Sequence, residues 1–250
     1  MTDTEAALLR AIAANRDEDT PRLVFADYLD ELGEPSRSAR AEFIRLHVHT
    51  TRLPADAPER EIVRRRIDQL LWKWDFVWQK EMPPGFKALS GYRRGFAYRA
   101  AATASAIRST EDPRTLLIEH LELTVDVSAT GLRAVLNCPL FARLTELLMR
   151  GEYSIGWSGV KALAECEYPL LERLDLARQR IGDIGLRWLC NSWGFPQLRA
   201  LDISSNEITD SGATTLLRSA LLPRLERLSI RGNPISQTMM DRLRPGGRVW

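Results

Sequence analysis

The chain is poor in the side chains that most often carry chemistry, with three cysteines and three histidines among 250 residues. Cys138, Cys166 and Cys190 form no C-x-x-C pair and have no histidine pair beside them, so the usual spacings of a zinc site or a disulfide framework are missing. His47 and His49 are two residues apart, which on a helix turns them to different faces. No serine or cysteine stands in a nucleophile elbow, and no glycine-rich loop ends in Lys-Ser or Lys-Thr. The stretch 151–159, GEYSIGWSG, has glycine spacing without that ending. Apolar runs all fall short of the roughly 20 residues that span a bilayer. The amino terminus, MTDTEAALLRAIAANRDED, is acidic where a secretory leader is basic. Net charge is +2, too balanced to select a nucleic acid or an anionic membrane by itself. These absences predict a cytoplasmic protein that is no enzyme, with no catalytic, cofactor-binding or metal-ligating residue.

What the chain does have is a period. LERLDLARQRIGDIG starts at Leu171, LRALDISSNEITDSG at Leu198 and LERLSIRGNPISQTM at Leu225, each 27 residues after the last. Leucine or isoleucine recurs at offsets 0, 3, 5 and 10, and an amide (Gln179, Asn206, Asn233) at offset 8. Offsets 3 and 5 alternate as one face of a short strand does. The offset-8 amide stands where the chain leaves the strand, placed to bond backbone groups that a turn leaves unpaired. Gly185 and Gly212 follow, then Leu189, Leu216 and Leu243 in helix-compatible sequence. Degenerate units start near Leu144 (landmarks Gly159 and Leu163) and near Ile118 (Gly131 and Val135). Each unit reads as strand, turn, helix and return, and such units bury their apolar sides only by stacking. Cys138 and Cys166, seven residues after their glycines, share that offset with Ser192 and Ser219. They read as a column of small side chains on the inner side of the return helix. The last unit, with Met239 in place of the glycine and RLRPGGRVW at its end, reads as a terminal cap.

This spacing resembles the leucine-rich repeat, L-x-x-L-x-L-x-x-N-x-L, and units of this length resemble its ribonuclease-inhibitor type. The resemblance covers about residues 116–245. It implies an α/β fold: a short solenoid with parallel strands on a concave side and helices on a convex side.

The first hundred residues lack the period and read as helices. Thr4 is a candidate cap for a first helix. Pro21, after the acidic run Asp17, Glu18 and Asp19 that caps it, opens a second that stops at Gly33. A third covers Ser38 to Leu53, and a fourth runs from Pro58 to about Gln79 and ends at Pro83-Pro84-Gly85. NRDEDTPRLVFADYLDELGEP (15–35), RAEFIRLH (40–47) and YRRGFAYRA (92–100) resemble the bacterial repeat-companion domain, a module fused ahead of repeat arrays. Tyr28 stands where that family usually has Trp. The expected organisation is a helical companion domain at 1–90 capping a repeat domain at 91–250. Residues 92–100, where Phe96 and Tyr98 alternate with Ala97 and Arg99, are expected to pair as an edge strand with the first repeat strand.

Aromatics at 72, 74, 76 and 78 on the fourth helix read as a helix buried between two layers. The sharper alternative is a nucleic-acid stacking platform on helix 60–80 beside Arg64, Arg65 and Arg66. The repeat strands present a second surface, since residues between the leucines point away from the core. Glu122, Asp175, Asp202 and Ser229 form one column, with Arg150, Arg178, Ser204 and Arg231 beside it. Strand-held polar side chains of this kind are expected to bind a protein partner through the concave face of a monomer. Regulation of a small GTPase, as some ribonuclease-inhibitor-type repeats perform, is the alternative this resemblance leaves open.

Overall fold

The computed structural model describes residues 1–89, 91–127, 129–150 and 154–243. It divides into two compact units, Met1–Ala100 with Glu111–Ile118, and Ala101–Thr110 with Glu119–Trp250.

The first unit opens with helices α1 (Asp3–Ala14), α2 (Thr20–Glu31), α3 (Pro35–Arg52) and α4 (Glu59–Gln79). Thr2, not Thr4, caps α1; its hydroxyl accepts the Glu5 N–H at 3.1 Å. Asp19 flanks α2 but makes no side-chain cap bond there. Its carboxylate instead meets Arg94 at 3.2 Å and Arg52 at 3.3 Å, so Asp19 acts as a tether and not as a cap. Pro35 starts α3 three residues before the expected Ser38, because the fixed φ of proline suits the first helical turn. Arg22, 7% exposed, donates to the carbonyls of Asn15, Arg16 and Glu18. One guanidinium thus satisfies the turn between α1 and α2.

Leu9 and Ile12 of α1, Phe25, Ala26 and Leu29 of α2, Ala41 and Ile44 of α3, and Phe96 make one core cluster. Ala39 and Phe43 of α3 with Leu70 and Trp78 of α4 make another. The two-layer burial expected for α4 fails on one side: Trp72 is 91% and Phe76 70% exposed. At 3.6 residues per turn, Leu70, Trp74 and Trp78 share the stripe that faces α3. Positions 72 and 76 lie about 200° around from it.

The segment 92–100 also departs from expectation. After β1 (Phe86–Ala88), strands β2 (Tyr92–Arg93) and β3 (Phe96–Ala97) pair antiparallel with each other, Tyr92 opposite Ala97 and Arg93 opposite Phe96. The two turn residues Arg94 and Gly95 have φ of 49° and 86°, both positive as a tight two-residue hairpin of type I′ requires. This turn delivers Phe96 to 5.7 Å from the Phe25 ring. The sheet role expected of 92–100 falls instead to β4 (Arg99–Thr103).

In the second unit the strand order runs from the end of β4 through β5 (His120–Thr124), β6 (Glu146–Arg150), β7 (Arg173–Asp175), β8 (Ala200–Asp202) and β9 (Arg227–Ser229). From β5 onward the pairs are parallel, with Leu121, Leu147, Leu174, Leu201 and Leu228 side by side. The register therefore repeats the sequence period. After α5 (Ala104–Arg108), helices α6 (Ala129–Leu136), α7 (Gly156–Ala164), α8 (Gly182–Cys190), α9 (Asp210–Leu217) and α10 (Gln237–Leu243) follow the strands in alternation. The column of Cys138, Cys166, Ser192 and Ser219 lies just past the helix ends and not along their inner side. Its atoms bond carbonyls of the last helical turn: Ser219 Oγ donates to Leu216 O at 2.7 Å and Cys166 Sγ to Ala162 O at 3.4 Å. Met239 is buried in α10. The terminal-cap reading of RLRPGGRVW falls, from residue 244, outside the described residues, as do positions 151–153 of GEYSIGWSG.

The offset-8 amides behave as their spacing predicts. Asn206, fully buried, accepts the N–H groups of Gln179 at 2.8 Å and Ile181 at 3.3 Å. Its amide donates to Leu176 O at 2.7 Å and Ser204 O at 3.0 Å. Asn233 repeats this for Asn206 N, Ile208 N and Ile203 O, and Gln179 for Ile155 N and Met149 O. On either side of the amide the backbone is left-handed, at Arg178, Arg180, Ser205 and Glu207.

Candidate functional site

The leucines of β5–β9 are buried on one side of the sheet, and the residues between them form the other, open face. Register places Glu122, Leu148, Asp175, Asp202 and Ser229 in one row across five strands. Neighbouring strands lie about 4.8 Å apart, so the row is contiguous. Within it the carboxylates have different duties. Asp175 is 6% exposed; it accepts Arg150 Nη2 at 3.0 Å and the Ala177 N–H at 3.0 Å. Asp202, half-buried, accepts the Ser204 N–H at 2.9 Å. Both therefore fasten the end of a strand to the turn that follows, so neither is a freely solvated charge. Arg150 is held protonated above the ordinary guanidinium range by its bond to Asp175, with Glu122 and Asp202 adding to the field. Three carboxylates thus surround one guanidinium, and the centre of the face is acidic.

Glu122 and Arg150 lie within strands, as expected. Arg178, Ser204 and Arg231 do not: β7, β8 and β9 end at Asp175, Asp202 and Ser229. Arg178 has φ of 62°, a turn conformation that carries it off the strand row. The shorter strands follow from the amide ladder, which draws the chain into its turn soon after offset 4.

A second feature of this unit escaped the sequence reading. At the strand starts, Glu146 pairs with His120 at 3.2 Å and with Arg173 at 3.3 Å, and Arg199 pairs with Glu226 at 2.8 Å. The available signal was the alternation of sign at the second positions of successive units, Glu172, Arg199 and Glu226.

The basic triplet of α4 is largely neutralised. Arg64 and Arg65 bond Glu61 at 3.0 and 2.9 Å, and Arg66 bonds Glu42 at 2.7 Å. Phosphate binding draws on unpaired cations that release counterions, and these three are paired within the protein. Lys80 meanwhile lies 4.1 Å over the Phe76 ring. Burial pushes the thiols of Cys138 and Cys166 up, and that of Cys190 up to about 11, which keeps them protonated and unreactive. Among the described residues no three His, Cys, Asp or Glu side chains converge as metal ligands. No helix among them is long and apolar enough to cross a membrane.

A family model for the leucine-rich repeat matches residues 196–217, which contain β8 and all of α9 together with Leu201, Asn206 and Gly212. The chain therefore contains a leucine-rich repeat region, a class of domain that generally mediates protein–protein interaction and is typically non-enzymatic. No curated protein matches the chain.

Proposed function

We propose that the protein is a non-enzymatic interaction module, or scaffold, in which the repeats from about 118 to 243 form a short solenoid of the ribonuclease-inhibitor type. Its partner is a protein that docks on the open, concave sheet face. The helical segment 1–90, of repeat-companion type, caps the exposed end of the array. The observation that supports this reading is the row Glu122, Asp175 and Asp202 around Arg150. Within the row, Asp175, Asp202 and Arg150 are held by hydrogen bonds, so little of their conformational entropy remains to be lost on docking. Its excess of carboxylates favours a partner that presents lysine or arginine.

The test uses Glu122 and Ser229, which line the row without the backbone bonds that Asp175 and Asp202 make. Changing both to lysine reverses the local field while sparing the fold, since such half-exposed positions contribute within about 0.5 kcal/mol. A bound protein should be lost from an affinity capture while the melting curve stays in place. Retention of every captured protein by the double variant would remove the open face as the working surface. For the capping part, a fragment of residues 101–250 should be molten or insoluble, because an uncovered end repeat exposes its core. A cooperatively folding, monomeric fragment would end that idea.

A further inference from the structure

Arg40 lies on α3 within the helical unit, amid the aromatic part of its core. Its guanidinium carbon is 4.8 Å from the Trp78 ring centre, 5.4 Å from Tyr92, 5.5 Å from Phe43 and 5.8 Å from Phe96. Aromatic faces attract a cation, but they do not accept its in-plane N–H groups as oxygen does. The Tyr92 hydroxyl bonds the guanidinium. Nη1 is shielded from solvent and has no hydrogen-bond partner. The neighbouring guanidiniums are matched, Arg37 by Glu5 at 3.1 Å and Arg114 by Asp112 at 2.5 Å. Glu81 and Asp75 act on Arg40 through their fields alone. Arg40 as a residue is half-buried, but a shielded guanidinium nitrogen without a bonded carboxylate departs from the general pattern, in which buried charges are paired. His47 senses the same cation: burial, and then the charge of Arg40, push its pKa down to about 4.

Arg40 lines a cavity of about 50 Å³ whose wall is mostly apolar, with Leu9, Phe25, Leu29, Phe96 and Leu117 among its members. At about 10–15 Å³ per water-sized sphere, that volume takes only a handful of heavy atoms. An apolar wall with one unmatched donor suits a molecule that has one charged end and a short hydrocarbon end. Phosphate and sulfate fit less well, because they would leave oxygens facing hydrocarbon. Arg37 and Arg114 also line the cavity but are matched by Glu5 and Asp112, and Glu81 adds a further carboxylate to the wall, which disfavours a second negative charge.

We propose that this cavity binds a short-chain monocarboxylate, with one carboxylate oxygen on Arg40 Nη1 and the hydrocarbon end among Leu9, Phe25, Leu29 and Phe96.

The test is a titration of the full-length ¹⁵N-labelled chain with sodium butyrate at constant ionic strength. Butyramide and inorganic phosphate are titrated in parallel. The reporter is the Trp78 indole N–H, identified by the loss of its signal in Trp78→Phe. Butyrate should move that signal saturably, whereas butyramide, the same shape without charge, should move it little. Arg40→Gln should weaken the butyrate effect by at least about tenfold, the penalty for truncating one partner of a buried charge pair. If that variant does not fold, Arg40→Lys keeps the charge and loses the planar fork, and the carboxylate–amide contrast on the wild-type chain stands on its own. An equal response to butyramide would show filling of an apolar hole without the guanidinium, and tighter binding of phosphate would show a dianion site. Either of these, or no saturable response to butyrate in the millimolar range, overturns the proposal.

Discussion

Gly95 offers a sharp test of how the helical unit is assembled. A methyl group built on it would lie 2.7 Å from the Ile44 Cα and 2.7 Å from its Cγ1. Ile44 is fully buried in α3, so the obstacle is helix backbone and core, with no flexible tip to move aside. Gly95 also has φ of 86°, which costs an L-residue about 1–2 kcal/mol. Gly33 provides the control: φ is 70° and nothing lies within 4 Å of its added methyl. Gly33→Ala should therefore cost only the conformational part, about 1–2 kcal/mol. Gly95→Ala adds overpacking of about 1–3 kcal/mol, for about 2–5 kcal/mol in all. Urea unfolding of both variants, followed by far-ultraviolet circular dichroism and by tryptophan fluorescence, measures the difference and shows whether the two units melt together. If Gly95→Ala comes within about 0.5 kcal/mol of Gly33→Ala, the close approach of hairpin and α3 does not govern this position.

Three further outcomes are expected. Leu201, 2% exposed and flanked by Leu174 and Leu228 on the neighbouring strands, should cost about 2–5 kcal/mol as Leu201→Ala in denaturant melts, and a cost below about 1 kcal/mol would contradict the register. Asn206→Ala strands the N–H groups of Gln179 and Ile181 and the carbonyl of Leu176; at about 1–3 kcal/mol for each unsatisfied buried group, a loss under about 1 kcal/mol would deny the ladder its role. His47 has a folded pKa of about 4 against an unfolded value of about 6.5, so its contribution is present above pH ~6.5 and lost as pH falls toward 4. Relative to His47→Phe, the wild type should lose roughly 2–4 kcal/mol over that window; parallel stability–pH curves for the two would show that His47 titrates normally.

The repeat register was legible because the 27-residue spacing acts at every level at once. The same residues that alternate on a strand also stack between units, and the amide at offset 8 marks the turn. The extent of each strand was less legible: Asp175 and Arg178 both look like polar strand positions. Only the left-handed backbone after the strand, hinted at by Gly232 at the same offset as Arg178 and Ser205, separates them. The open-face row was readable as a column, but the burial of Asp175 was not, since it depends on Arg150 reaching across from β6. On α4 the i, i+4 pair Trp72 and Phe76 looks the same whether a second layer covers it or not. The hairpin at Arg94–Gly95 hid behind an arginine in a conformation usually given to asparagine or glycine. Arg40 gave no local signal, because its setting is built by rings from α3, α4 and the 92–97 hairpin, far apart in the chain.

The amide ladder has a direction. Asn206 completes the turn around Gln179, and Asn233 completes the turn around Asn206, so the turn of each of these units is closed by a side chain of its successor. Removing a unit from the carboxyl side orphans backbone N–H groups in the turn before it, whereas removal from the amino side strands the side-chain amide of the next unit and leaves that unit's own turn closed. On a ribosome the same asymmetry makes each turn wait for about 27 more residues before it can close. In the finished protein, loss of one amide should speed hydrogen exchange mainly in the turn of the unit before it, at Asn206 and Ile208 for Asn233→Ala.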